Sequence, residues 1–222
     1  MKMSDQEAGN FFFDAVARKK DKPASIAVIG NSPRLGQDRN GERIDAHDVI
    51  IRVNDGRTTG FEEFGGSRTD IRFVGVPLKE RYWDFFRELD EPSTIITRVE
   101  NEPVLKNLGY AGEPVYYPNR DVHTHAALPI LSRYVETGAY PKKPPRSGIV
   151  ILSFLSPFFE KGVPISLFGF EIEPRNGGEE HYYKDGRDFG RALQHWDDAH
   201  CPMEVEFAVL GRLRDKGYIR FF

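Results

Sequence analysis

Two periodicities alternate along the chain. Short β-branched or aromatic runs recur at 25–29, Val49–Val53, Ile71–Val74, 94–97, Pro114–Tyr117 and Ile165–Phe168, each bounded by Gly, Pro or charge. Such short, continuously apolar runs predict strands buried on both faces. Helical spacing lies among them. Residues 79–89 place Trp83, Phe86 and Leu89 on one side, 126–137 form a second pattern, and Ser147–Glu160 is strongly apolar. A short amphipathic helix begins at 11–17. In the last element Val205, Val209 and Leu213 recur every four residues with Leu210 beside them. Pro202 suits the first helical position, and Lys216-Gly217 supplies a basic last turn and a glycine stop. "YIRFF" then reads as a closing strand. Strands alternating with helices predict an α/β protein: a single-domain, Rossmann-like, mostly parallel sheet flanked by helices.

Length and composition narrow this picture. The chain has 222 residues, enough for one large domain. Residues 1–24 read as an N-terminal extension or short helix and 25–222 as the single catalytic domain. "AYPKKPPRSG" is the one Pro-rich stretch and reads as a stiff loop rather than a linker. The 31 Lys and Arg are nearly balanced by 34 Asp and Glu, for a net charge of −3. That balance gives no reason to expect a nucleic-acid partner. The 17 Phe are expected to fill the core, and the single Cys201 forms no intrachain disulfide. No run of about 20 apolar residues predicts a transmembrane segment. The N-terminal apolar patch is too short for a secretory signal and carries Asp14. A soluble, cytoplasmic protein is the expectation.

The chemistry begins at "IAVIGNSPRLG". The strand ends at Gly30 and a polar turn follows. Ser32 stands where a G-x-G-x-x-G dinucleotide loop has its second glycine, and no G-x-x-x-x-G-K-[ST] occurs. A Gly-Asn-Ser turn at the carboxyl end of a strand is still a ligand position. Asn31 and Ser32 can donate to phosphate or ribose oxygens, or serve as turn formers. Asn54 ends the next strand in the same way, and two such ends side by side would aim Asn31 and Asn54 into one crevice. Ser147, after Pro144-Pro145, suits a helix N-cap with free N–H groups ahead of it. No Asp-x-Asp pair is present to hold a divalent ion. Glu171 and Glu173, in "EIE", are the nearest substitute, and a surface strand end explains them equally well.

The stretch "IAVIGNSPRLG…IDAHDVIIRVN…TGFEEFGGSRTDIRF" resembles the large sialylmotif of glycosyltransferase family 29, the animal-type sialyltransferases. "PPRSGIVILSFLSPFFEKGVPISLFGFE" is similar to the small sialylmotif. "HYYKD" resembles the third motif, and "HCPMEVEF" resembles the very small motif, a His followed by a Glu. The four occur in the family's order and cover most of the chain from residue 26. Departures are visible. Pro33 replaces the usual Gly. Ile26 and Gly162 stand where the animal enzymes carry a disulfide between the large and small motifs, in keeping with a reducing compartment. The membrane anchor and stem of those enzymes have no counterpart here. The usual His-to-Glu spacing of five is not met, since Glu204 stands at four and Glu206 at six.

The resemblance implies a GT-A-like variant of the Rossmann-like fold. It also implies an inverting transfer of sialic acid, or a related 2-keto sugar acid such as Kdo, from its CMP-activated donor to a glycan hydroxyl. The implied partners are the CMP-sugar donor and the glycan acceptor, with no cofactor and no metal. By carry-over, Asn31, Ser32 and Asn54 meet the donor phosphate and ribose. Ser147 and Gly148 hold ribose and cytosine, and Gly169 and Phe170 line the cytosine pocket. His181 meets the CMP phosphate, His200 is the base, and Glu206 is a possible orienting acid. The chemistry is consistent with these roles. A positive helix end keeps a His200 imidazole neutral and able to accept a proton, whereas a phosphate draws His181 towards its charged form. Arg52, Arg68, Arg120 and Arg146 are each able to meet the donor's carboxylate.

Two other readings compete. One is a metal-dependent hydrolase built on His123, His125, His181, His195 and His200 with Asp197 and Asp198, whose spacings match no established metal motif. The other is a non-catalytic CMP-binding or nucleotide-binding module that keeps the motifs without turnover.

Overall fold

The computed structural model describes residues 5–75, 94–110, 112, 114–117, 120–138, 143–173, 182 and 200–222, with backbone alone for 5–11, 117 and 120–125. The expected helix at 79–89 lies outside the described residues. The strands are β1 (Ile26–Ile29), β2 (Val49–Val53), β3 (Ile71–Val74), β4 (Thr94–Arg98), β5 (Pro114–Tyr117), β6 (Ile165–Phe168) and β7 (Ile219–Phe221). The helices are α1 (Asp5–Lys19), α2 (Gly41–Asp45), α3 (Glu62–Gly65), α4 (Glu102–Asn107), α5 (Arg120–Leu131), α6 (Ser147–Glu160) and α7 (Met203–Asp215), with a 3-10 turn at Pro33–Gly36.

All seven strands join one parallel sheet in the order β5-β4-β3-β2-β1-β6-β7. From β1 the chain winds outwards through β5. It then crosses back over α5 and α6 to place β6 on the other side of β1. The winding reverses between β1 and β6, which makes the carboxyl ends of those strands the topological switch point, the place where open α/β sheets bind ligands.

Both faces of the sheet are covered, and β1 shows how. Ile26 and Val28 face one core with Phe12, Ala15 and Val16 of α1, Leu128 of α5, Phe154 of α6 and Leu213 of α7. Ala27 and Ile29 face the opposite core with Leu35, Ile44 and Phe168. The boundaries of β2, β3, β5 and β6 agree with the sequence expectation, and in β2, β3 and β6 full burial along the strand accounts for the mostly apolar run.

The differences have local causes. The pattern at 126–137 folds as Arg120–Leu131. Beyond it, Ser132 and Val135 donate back to Leu128 and Leu131 within turns. Pro202 takes the N-cap position of α7, one place earlier than expected, because its extended backbone (ψ 139°) stands outside the helix. The short helices α2, α3 and α4, of four to six residues, carry too few positions to show a period. The N-terminal stretch contains helix α1, and it packs on the core: Phe12 is fully buried and stacks on Phe154 at 5.3 Å, with Phe73 at 6.2 Å.

That packing makes a specific demand on stability. Phe12→Ala is expected to destabilise the protein by about 3–5 kcal/mol, read as a lowered urea midpoint with an unchanged slope. An unaltered midpoint would mean that α1 is dispensable.

Candidate functional site

The switch point is built by backbone contact. Gly30, at the end of β1, donates its N–H to Phe168 O at 2.8 Å, and Ser32 N–H donates to Gly169 O at 3.1 Å. A Cβ on Gly30 would lie 2.4 Å from Gly169 O, and one on Gly169 would lie 2.8 Å from Gly30 O. Gly169 also has φ +65°, the left-handed region that favours glycine. Neither position accepts a side chain. The Phe170 ring packs beside Gly30 and over Gly148, where a Cβ would come within 2.6 Å of it. Gly148 stands in the first turn of α6.

The ends of β2 and β3 complete the floor. Asn54 adopts φ 50°, and its side-chain Oδ1 accepts the Gly75 N–H at 3.1 Å. A Cβ on Gly75 would lie 2.7 Å from Ser147 Oγ, so Ser147 abuts the same turn. Asn31 Nδ2 donates to Val53 O at 3.2 Å and approaches Asp55 Oδ1 at 3.5 Å. Asn31, Ser32, Asn54, Ser147, Gly148, Gly169 and Phe170 are thus joined by direct contacts around one crevice. Ser147 is the first residue of α6 rather than its cap, since Arg146 holds the N-cap position in extended conformation.

Ser32 does more than turn the chain. Its Oγ accepts the Arg34 N–H at 3.1 Å, capping the 3-10 turn, and donates to Glu171 Oε1. Glu171 is therefore a half-buried partner of the loop, whereas Glu173 is exposed as a surface strand end would be.

Two buried arginines support the loops from below. Arg72 is 1% exposed and donates to Asn54 O at 2.8 Å and Gly56 O at 3.0 Å, holding the turn at the end of β2. Burial, with a smaller repulsion from Arg52, brings its pKa down to about 10, which leaves it charged at neutral pH. Arg52, its register partner on β2, donates to Gly65 O, Gly66 O, Arg68 O and Thr69 Oγ1. That engagement ties Arg52 to the loop preceding β3. Arg68 sits at the amino end of the sheet with Asp45 O, His47 O and Asp70, at the opposite edge from the crevice. The Arg120 side chain lies outside the described residues. Only Arg146 adjoins Ser147 and Gly148.

Arg146 is held by a buried carboxylate that links two segments. Glu206, on the first turn of α7, accepts the Arg146 backbone N–H at 2.9 Å, the Arg146 Nη1 at 3.0 Å and the Cys201 thiol at 3.3 Å. Arg146 Nη1 also donates to Cys201 O at 3.1 Å, and Cys201 N–H donates to Pro144 O at 2.9 Å. Burial pushes Glu206 up from the ordinary carboxylate range, and Arg146 opposes that shift. Burial also pushes the Cys201 thiol up, with the Glu206 charge adding to it, so Cys201 stays a donor. The network pins His200, one residue from Cys201, beside the start of α6. The described contacts of Glu206 go to Arg146 and Cys201, so its effect on His200 runs through the backbone.

His181 and Tyr183 lie outside the described residues. Tyr182, between them in the chain, donates its N–H to Asn31 O at 3.1 Å and its hydroxyl to Arg57 O, and its ring meets Phe61 edge-on at 5.0 Å. Burial raises the Tyr182 phenol to about 12. The third motif thus attaches to the Asn31 loop through Tyr182. Of the groups in the hydrolase reading, His181, His195, Asp197, Asp198 and the side chains of His123 and His125 also lie outside the described residues. The residues that sequence reasoning missed are Arg72, Asp55, and Cys201 as a partner of Glu206. Only Arg72 left a trace, a charged residue inside an apolar strand run.

A backbone-lined crevice at the switch point of a parallel sheet, lined by Asn, Ser and Gly, is a candidate ligand site of the α/β type. Comparison with known proteins makes this particular. The profile of glycosyltransferase family 29 (sialyltransferase) matches residues 8–102. The chain is 29% identical over 177 residues to CMP-N-acetylneuraminate-beta-galactosamide-alpha-2,3-sialyltransferase 2 of Mus musculus, covering 72% of this chain and 47% of the relative. It is 39% identical over 59 residues to beta-1,6-galactosyltransferase GALT29A of Arabidopsis thaliana, covering 27% of this chain and 15% of the relative. The crystal structure of a mammalian sialyltransferase in complex with Gal-beta-1-3GalNAc-ortho-nitrophenol superposes with a TM-score of 0.58 at 19% identity, covering 96% of this chain and 79% of that one. Over residues 8–102 the chain thus resembles glycosyltransferase family 29. It spans less than half the length of these curated relatives. Among the described residues no helix is long and apolar enough to cross a membrane.

The buried Glu206–Arg146 pair predicts an asymmetric mutational response. Glu206→Ala, which strands the Arg146 charge, is expected to cost about 3–5 kcal/mol. The double variant Arg146→Met/Glu206→Leu should recover most of that loss. Chemical denaturation of the three proteins distinguishes this from simple loss of packing, which the double variant would not restore.

Proposed function

We propose that this protein is an inverting glycosyltransferase that moves a sialic acid, or a related 2-keto sugar acid such as Kdo, from a CMP donor to a glycan hydroxyl. The observation that carries the reading is the convergence of seven motif residues, distant in sequence, on one crevice at the β1/β6 switch point. In this reading the nucleotide lies in that crevice. Its base packs against Phe170 and the flat surface left by Gly148 and Gly169. Its ribose meets Ser147 and the first N–H groups of α6. Its phosphate meets Asn31 and Asn54, with the positive end of α6 favouring the anion.

Transfer with inversion needs an acceptor deprotonated as the donor's anomeric bond breaks. His200 removes the acceptor hydroxyl proton, the oxygen attacks the anomeric carbon from the face opposite the leaving group, and CMP departs with the bonding pair. The phosphate's developing charge is stabilised by Asn31, Asn54 and His181. The buried charge of Arg72, beneath the Asn54 turn, biases the same region towards anions. Glu206 acts by fixing the Cys201 segment against Arg146. A CMP donor carries one phosphate, so the reaction is proposed to run without a metal ion, and the protein to act in the cytoplasm.

The relative named a beta-1,6-galactosyltransferase favours a second reading, in which the same crevice serves a galactosyl donor. Calorimetric titration with CMP, UDP, GDP and NAD in excess EDTA separates the two. Selective CMP binding without metal is expected; selective UDP binding would favour the second reading, and binding that needs metal would overturn the metal-free mechanism. His200→Ala is expected to lose transfer by about 10²–10⁴-fold while keeping CMP affinity. Full activity in that variant would remove His200 from the base role, and a wild type that binds CMP without turnover on any acceptor would point to a binding module.

A further inference from the structure

The mechanism leaves Glu171 unused, and its position is unusual. It lies two residues past Gly169, at the rim of the crevice, where its carboxylate accepts a hydrogen bond from the Ser32 hydroxyl. A serine hydroxyl has one proton to give. With that proton directed at Glu171 and a lone pair accepting the Arg34 N–H, Ser32 has no donor left for a phosphate oxygen.

We infer that Glu171 is a specificity-determining residue of the crevice that competes with the nucleotide's phosphate for the Ser32 hydroxyl. The inference rests on the crevice being the nucleotide site proposed above. Donor binding turns the Ser32 O–H from the Glu171 carboxylate to the phosphate, with no bond made or broken beyond hydrogen bonds. Part of the phosphate's binding energy is spent in that exchange. The nucleoside portion, seated on Phe170 and Gly148, is unaffected. Glu171 therefore weakens phosphorylated ligands that reach Ser32 relative to their nucleosides. It makes the site depend on base and ribose contacts rather than on phosphate charge. Free phosphates are thereby disfavoured as competitors.

Titration calorimetry of CMP and cytidine against the wild type, Glu171→Ala, Ser32→Ala and the double variant tests this. Glu171→Ala is expected to bind CMP at least about fivefold more tightly, the scale of a charge-assisted hydrogen bond released. Cytidine affinity should change by less than about twofold, which also reports that the variant is folded. The gain for CMP should disappear when Ser32 is alanine. Unchanged or weaker CMP binding by Glu171→Ala would overturn the inference. So would an equal gain for cytidine, or a gain that persists without Ser32. These outcomes leave the nucleotide reading intact, whereas a wild type that binds neither CMP nor cytidine removes that reading and this inference together.

Discussion

The approach of two backbones at Gly30 and Gly169 governs the rest of the site. Parallel strands β1 and β6 are held side by side by their ladder, and the chain must leave both ends at once. With the Gly30 and Gly169 carbonyls this close, a Cβ at either position would overlap main-chain oxygen. Removing both side chains lets the Ser32 N–H reach Gly169 O and brings the Gly-Asn-Ser turn against the end of β6. It also lets Phe170 fold back over Gly148, so the base of the crevice is flat and apolar. A ligand with a planar ring and a polar tail fits such a surface without any change in the fold. The sheet order sets this up, because only at the reversal of winding do two neighbouring strand ends send their chains apart.

Buried charge is the second organising element. Arg52 and Arg72 are register partners on adjacent strands and face the same side of the sheet, yet they serve different loops. Arg72 secures the carbonyls of the Asn54 turn, which holds a non-glycine residue at positive φ. Arg52 secures the stretch from Gly65 to Thr69. Each guanidinium presents several donors in a rigid fork, and these reach mainly backbone carbonyls, with Thr69 Oγ1 a further acceptor of Arg52. Glu206 is the complementary case, a buried acid that gathers donors from Arg146 and Cys201. It ties the start of α6 to the segment carrying His200, so the two sides of the proposed reaction share one rigid joint.

The sheet was legible because β1, β2, β3, β4 and β6 are buried along their whole length and read as short, mostly apolar runs. Of the four strands whose boundaries agree with expectation, β2, β3 and β6 belong to this group. Helix α6 was legible for the same reason, ten of its fourteen residues being buried. The short helices α2, α3 and α4 left no signal, since one turn shows no period. In the site, the glycines and asparagines could be read from their place at strand ends, and the motif resemblance added Ser147, Gly148 and Phe170. What stayed hidden were contacts across long separations. Ser32 and Glu171 are 139 positions apart and Arg146 and Glu206 are 60 apart, and no local pattern couples them. The reading of Glu171 as a surface strand end failed on that point, because its partner comes from the far end of the sequence.

The division between backbone and side chain explains how one crevice can serve a family whose named activities differ. Sialyl and galactosyl transfer both appear in the names of relatives of this chain. The features that form the crevice are glycine contacts, strand-end N–H groups and a helix start, and in the proposed reading these meet a nucleotide as a shape with an anionic end. They carry little information about which nucleotide or which sugar. Selectivity then has to reside in side chains that reach the rim without supporting the fold. Arg72 and Glu206 are unsuited to that task, since both are buried and replacing either disturbs a loop or a helix start. Glu171 suits it, because it meets the loop through the Ser32 hydroxyl and its side chain takes no part in the Gly30–Gly169 contact. A site arranged in this way can change its ligand through the rim while the floor stays fixed.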